Sequence, residues 1–328
     1  MPATPRVALS PENRKLAIGL GGVLVLALAF VGSNVAANHK PEPHNLPIGA
    51  VGSARTAERL ATELEALEPG GFDVTAYDSA AAAREAIRER RIYGAFEPGA
   101  PPTLLVASAA SAVAEEVLLE TFRPLTVGRG ETLAVDDVVR LPPSDDTGAT
   151  AFSAVLSLTI AAILGSSIIY ITAGKRRLAV RLGAVLALGV GAGLMGAIAT
   201  NVLVGAFPGR FAAVWLVATM FVLAIAFPVA AFQTLIGLPG TGLGLIAFVV
   251  VGTPSSGGAT APELLPGFWR AVSQLLPPGA GTTGMRDLVY FHGHGATRAL
   301  IVLALYAILG AALTTVAYRA KQRPQQAP

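Results

Sequence analysis

Of 328 residues, 53% are hydrophobic and only 14% are charged, against about 25% charged in an ordinary soluble domain, and a mean hydropathy of +0.59 places the chain in the membrane class. The net charge of +3 and the pI near 9.4 do not mark a nucleic-acid-binding face, because the charge is partitioned: all 21 acidic residues except Glu12, Glu263 and Asp287 lie between Lys40 and Asp146. Cysteine is absent, which excludes disulfides and thiol chemistry.

A helix needs about 20 apolar residues to cross a hydrocarbon core about 30 Å thick. Six segments reach or approach that length: residues 16–36, 149–173, 178–207, 211–236, 238–253 and 297–318. Basic residues flank them unevenly. Arg14 and Lys15 precede the first, Lys175, Arg176, Arg177 and Arg181 ("GKRRLAVR") join the second and third, and Arg319, Lys321 and Arg323 follow the last. With six spans these clusters share one side, which the positive-inside rule makes the cytoplasm of a cell-membrane protein. Residues 1–15 and 319–328 are then cytoplasmic, and residues 37–148, the turn "FPGRF" and the segment 254–296 lie outside. The small residues Val35, Ala36 and Ala37 end the first span as a cleavage site would. Its apolar run exceeds the 7–15 residues typical of a signal peptide, so it reads as an uncleaved anchor.

The exposed region 37–148 carries its own α/β pattern from Asn45 to Phe122. "LPIGAVGS" predicts a buried strand, and "TAERLATELEAL" a helix with Leu60, Leu64 and Leu67 on one face. "FDVTAY" alternates like a strand, and "DSAAAAREAIRERR" is a helix capped by Asp78 or Ser79. "IYGAFEPG" and "PTLLVASA" add two strands, and "SAVAEEVLLETF" a third helix. The order β-α-β-α-β-β-α predicts a small layered fold, with 123–148 a linker back to the membrane. The fold class is therefore an α-helical integral membrane protein with six transmembrane helices and a small α/β extracytoplasmic domain inserted between the first two, ahead of a five-helix domain over 149–318.

No motif in the chain supports catalysis. The pairs Glu115/Glu116, Asp136/Asp137 and Asp145/Asp146 read as solvated surface acids, and His292 and His294 of "HGH" as an exposed loop. "GLPGTGLG", residues 237–244, lacks the Lys-Ser/Thr pair of a phosphate loop and follows a helix, so it reads as a tight turn. No nucleophile elbow is present. The expectation is a chain that is not an enzyme, with no catalytic, metal or cofactor-binding residues and no nucleic-acid partner.

Within the spans, only Arg181 and Arg298 are charged, both near span ends, which argues against a proton-relay transporter. Asn201 and Gln233 are the conspicuous intramembrane polar side chains, read as glue between helices or as lining of a path. Gly189, Gly193 and, with Ala192, Gly196 stand at four-residue spacing and mark a close-packing face, within one protomer or between two. Pro228 is expected to kink its helix or free a carbonyl.

The fifth span is the shortest, about 24 Å at about 1.5 Å per residue, so the turn that follows sits at or slightly within the outer boundary. There Pro254, Ser255, Ser256, Gly257 and Gly258 supply local hydrogen bonds and backbone freedom to φ > 0. Pro262 and Glu263 then open an amphipathic segment, "PELLPGFWRAVSQLLPP", whose Phe268 and Trp269 suit an interface where it lies flat or dips partway in. "TTGMRDLVYF" predicts one more short helix before the last span.

This arrangement of one span, an outer domain and five further spans resembles the membrane subunits of type-2 ABC exporters, particularly their phage-infection-protein-like branch. "LPIGAVGS", "YDSAAAAREAIRERRIYGAFEPG" and "TPSSGGATAPELLPGFW" carry the likeness, which extends over nearly the whole chain; Thr253 stands where that family's late signature has Asn. The resemblance implies a permease half that forms a homo- or heterodimer in the lipid bilayer. With a separate ATP-binding subunit docked through Lys175, Arg176, Arg177 and Arg181, it would export a hydrophobic or amphipathic compound. The cytoplasmic connections are shorter than in that family. They favour the alternative of a non-transporting scaffold or receptor whose outer domain binds a secretion component, a phage or another partner.

Overall fold

The structure, a computed structural model, describes residues 10–322; the expected cytoplasmic stretches 1–15 and 319–328 fall partly outside that range, and Arg323 wholly so. Helix α1 (Pro11–Asn38) starts with a proline where no amide partner is needed, and the Ser10 side chain accepts the Asn13 N–H at 3.3 Å. Apolar side chains cover it all round, and Leu16, Leu24, Leu28 and Val31 are exposed. A helix apolar on every face is one that apolar surroundings solvate.

The sheet domain contains β1 (Leu46–Val51), α2 (Ala54–Leu67), β2 (Phe72–Tyr77), α3 (Ala80–Arg88), β3 (Gly94–Glu97), β4 (Thr103–Val106), α4 (Ala112–Val127) and β5 (Ala134–Asp137). The strands form one sheet in the order β2-β1-β3-β4-β5, parallel except for the β3–β4 hairpin. The interior strand β1 is almost wholly buried, as a parallel strand covered on both faces must be. Leu60 and Leu64 of α2 enter the core, but Leu67, at the helix end, is 52% exposed. Ser79, not Asp78, caps α3, its hydroxyl accepting the Ala82 N–H at 3.2 Å.

The expected linker 123–148 is not one. It completes α4, supplies the edge strand β5 with Leu104 opposite Val135, and ends in a 3₁₀ turn at Pro143–Asp145. Its acids are bound rather than merely solvated. Asp136 accepts from Arg84 at 2.8 and 3.1 Å, and Asp137 from the Ser108 amide at 3.1 Å and hydroxyl at 2.6 Å. A four-residue strand spelled "AVDD" leaves no alternation to read, and charge on an edge strand protects it from further pairing.

The helical bundle comprises α5 (Thr150–Ala173), α6 (Leu178–Ala197, continued as a π-turn to Leu203), α7 (Phe211–Ile236) and α12 (Ala296–Gln322). With α1, these are five helices long and apolar enough to cross a membrane. The expected fifth span of six is helical over Gly240–Ser255 but shorter than the others. It consists of α8 (Gly240–Gly244), a π-turn (Leu245–Val251) and α9 (Gly252–Ser255). Helix α7 is the hub: 61% of its apolar stretch is buried, against 33% or less in the other four long helices. Two glycines let its neighbours approach. A Cβ on Gly193 of α6 would stand 2.7 Å from the Thr219 amide nitrogen, and one on Gly310 of α12 would stand 2.6 Å from the Pro228 nitrogen.

Between the short helix and α12 lie a 3₁₀ turn (Pro262–Leu264), α10 (Gly267–Ser273) and α11 (Pro277–Tyr290). Expected to lie flat or to dip partway in, this stretch folds as a hairpin whose second helix, α11, enters the bundle. Nearly every residue of α11 is buried, and a Cβ on Gly281 would meet the Phe221 ring at 2.5 Å. Phe221 lies ten residues into α7, about 15 Å from its sheet-domain end at about 1.5 Å per residue. On α10, Phe268 stays 61% exposed, edge-on to Trp269 with ring centroids 5.1 Å apart. The helix expected from "TTGMRDLVYF" is α11, but the sequence hides its burial because its Gly- and Thr-rich stretch lacks an apolar stripe; small side chains are what let it fit between α5, α7 and α12.

Candidate functional site

The conformationally specific stretch after the short helix sits where hairpin, bundle and sheet domain meet. Pro254, Ser255 and Ser256 are buried. The Ser255 hydroxyl donates to the Gly252 carbonyl at 2.9 Å and that of Ser256 to the Thr253 carbonyl at 2.6 Å, which satisfies polar groups with no access to water. Gly257 and Gly258 adopt φ of 74° and 62°, the left-handed region that a side chain disfavours. The turned-out carbonyls are then used: Gly258 accepts from Arg286 at 2.9 Å, and Ala259 from the Ser111 hydroxyl, at the start of α4, at 2.8 Å.

Past Pro262, Glu263 accepts a hydrogen bond from the Tyr93 hydroxyl at 2.8 Å, and its carbonyl takes the His44 N–H at 3.0 Å. Burial, and secondarily the Glu263 carboxylate, raise the Tyr93 pKa, so the phenol remains a donor. Ala261, Leu264 and Phe291 belong to the sheet domain's hydrophobic core although they come from the hairpin segment.

A buried ion pair closes the junction. Arg90 Nε donates to Asp287 Oδ1 at 2.9 Å, with side chains 9% and 2% exposed. The guanidinium also lies over the rings of Tyr93 and Phe291, 5.1 and 4.8 Å from their centroids. Close by, Asp145 accepts the Thr150 amide at 3.0 Å, its hydroxyl at 2.7 Å, and the Tyr290 hydroxyl of α11 at 2.6 Å.

Asp145 also stands at the mouth of a groove of about 730 Å³ that runs between α5 and α6. Ser153, Ser157 and Ala161 form one wall, Ala192, Met195 and Gly196 the other, and Asp146 and Thr147 rim the opening. The groove exists because all of these wall positions except Met195 carry small side chains. Its wall is apolar and its mouth is polar, which suits an amphipathic molecule.

Gly189 and Gly193 pack on α7 at Leu223 and Thr219, within the chain, whereas Gly196 faces Leu158 across the groove. Gln233 is fully buried and joins three helical elements: its Nε2 donates to Ser167 and Thr241, both at 2.9 Å, and its Oε1 accepts from Ser166 at 3.2 Å. Among the described residues Asn201 makes no bond to another helix: its Nδ2 donates to the Ala197 carbonyl at 3.1 Å on its own helix, and its buried Oδ1 has no partner there. Near Pro228, the Thr314 hydroxyl donates to the Phe227 carbonyl at 3.2 Å and Ser166 to that of Ala226 at 3.3 Å. Lys175, Arg176 and Arg177 are exposed, but Arg181 is only 5% exposed and donates to the Thr234 hydroxyl at 2.6 Å. His292 contacts the Arg210 guanidinium, and among the described residues no three metal-binding side chains gather.

Arg90, Tyr93, Asp145, Arg286 and Asp287 are absent from the sequence-derived site. One signal was available: Glu263 and Asp287 are the two acids beyond the acidic block, and each binds a residue of the sheet domain. No family model, no curated protein and no solved structure matches the chain.

Proposed function

We propose that this multi-pass chain is the permease half of an ABC-type exporter that moves a hydrophobic or amphipathic compound. In this reading a separate ATP-binding subunit drives transport and a second permease half pairs with the first. The supporting observation is the linkage at the groove mouth. Asp145 binds Tyr290 of the buried hairpin, and the hairpin is in turn fastened to the sheet domain by Arg90–Asp287 and Tyr93–Glu263. A movement of the hairpin would therefore reach both the groove and the exposed domain. Arg14, Lys15, Lys175 to Arg177, Arg319 and Lys321 gather at the bundle end away from the sheet domain, which supports a cytoplasmic placement of that end.

A second reading, a membrane receptor or scaffold, draws support from the connection 174–177 between α5 and α6, which offers an ATP-binding subunit little surface. Purification of the tagged full chain in mild detergent separates the two. The export reading expects an ATP-binding subunit to co-purify, and deletion to raise cellular accumulation of amphipathic dyes in an energy-dependent manner. Recovery of no nucleotide-binding subunit together with unchanged accumulation overturns export and leaves the receptor reading.

A further inference from the structure

We infer that the bundle end away from the sheet domain holds a binding site for the phosphate of an anionic phospholipid headgroup. A pocket of about 320 Å³ opens there between α5, α6, α7 and α12, lined by Tyr170, Lys175, Arg181, Thr234, Tyr318 and Lys321. Its base is Arg181. The residue is 5% exposed, its guanidinium bonded to the Thr234 hydroxyl and 5.6 Å from the Tyr318 ring centroid, and among the described residues no carboxylate lies within ion-pair distance of it. A buried cation that keeps its charge needs an anion, and a guanidinium presents its N–H groups in the geometry of a phosphate.

The rest of the pocket completes the match. Lys175 and Lys321 are exposed at its rim, and no acidic residue is in its lining. Beneath Arg181 the void shared with Ser166 and Gln233 is only about 10 Å³, so the pocket is a cup that ends at the guanidinium and not a passage. At the same ends of α5 and α12, Ile171 and Val316 are 68% and 62% exposed, apolar surface along which acyl chains lie while the headgroup reaches Arg181. That surface favours a lipid over free phosphate. Basic pockets between helices at the cytoplasmic side are where anionic headgroups bind, each basic residue contributing about 1 kcal/mol. The inference needs a chain inserted in a membrane but is independent of export, so loss of one leaves the other standing.

The test is thermal unfolding of the full chain in neutral-detergent micelles, titrated in separate arms with phosphatidylglycerol, phosphatidylcholine or inorganic phosphate. Phosphatidylglycerol is expected to raise the melting temperature saturably, with no comparable rise from the other two. In Lys175→Gln/Lys321→Gln, whose side chains are exposed and whose fold is not at stake, the apparent affinity should fall about thirtyfold, the loss of two such contributions. Arg181→Gln should abolish the shift; if that variant does not fold, the double lysine variant decides alone. Undiminished phosphatidylglycerol binding by the double variant, or equal stabilisation by phosphatidylcholine, overturns the site. Stabilisation by inorganic phosphate as strong as by the anionic lipid overturns the lipid assignment and leaves a free-anion site.

Discussion

Arg90 and Asp287 lie 197 residues apart, yet they form the least exposed ion pair among the described residues. Arg90 is inconspicuous in the sequence, lying within the run "RERR", which reads as solvated surface; Asp287 stands out only as an acid beyond the acidic block, in a helix with no marked apolar face. Taking two charges out of water costs several kcal/mol for each, so such a pair contributes little net stability; removing one partner strands the other and costs about 3–5 kcal/mol. Arg90→Ala should therefore lower the unfolding free energy by about that amount, and Arg90→Met/Asp287→Leu should recover most of it. Thermal unfolding in detergent reads both. A single variant as stable as the parent would show that Asp287 finds another partner. Arg286, adjacent in sequence, binds the Gly258 carbonyl instead and so serves the turn and not the pair.

Among the elements, those governed by local chemistry were legible and those governed by packing were not. The four spans 149–173, 178–207, 211–236 and 297–318 correspond to α5, α6 with its π-turn, α7 and α12, because a long apolar run has few other fates. The strands and helices up to Phe122 likewise follow from periodicity and caps. The edge strand β5 escaped because it is too short to alternate, and α11 was legible as a helix at "TTGMRDLVYF" but not as a buried one, since small residues rather than apolar ones bury it. The Ser-Ser-Gly-Gly turn lies between these cases. Its two left-handed glycines were required by the residue types, but the partners that its carbonyls recruit, Arg286 and Ser111, are set by tertiary contact. A valine at 257 would have to hold φ near 74°, a strain of about 1–3 kcal/mol, with its Cβ 2.7 Å from the Thr260 carbonyl oxygen. Gly257→Val should insert normally but lose function and protease resistance around the turn. Normal activity with an unchanged digestion pattern would show that the turn tolerates distortion.

At the scale of the whole molecule, the sheet domain and the bundle are built as dependent parts. The domain's core is completed by Ala261, Leu264 and Phe291, contributed from more than a hundred residues downstream, and Leu264 is fully buried there. A segment spanning residues 40–148 therefore lacks apolar groups that its own strands and helices are shaped to cover, together with the Glu263 and Asp287 carboxylates that bind Tyr93 and Arg90. Fully burying a side chain such as Leu or Phe is worth about 1.5–3 kcal/mol, a large share of the stability of a domain this small. Expressed alone, the segment should bind a hydrophobic dye and unfold at low denaturant. Leu264→Ala in the full chain should cost about 2–5 kcal/mol and loosen the same surface. Urea unfolding of the segment, with and without a synthetic peptide covering residues 259–266, measures the dependence. A segment that unfolds cooperatively at high urea, with no response to the peptide, would mean that the domain is self-sufficient and that hairpin motion need not be felt by it.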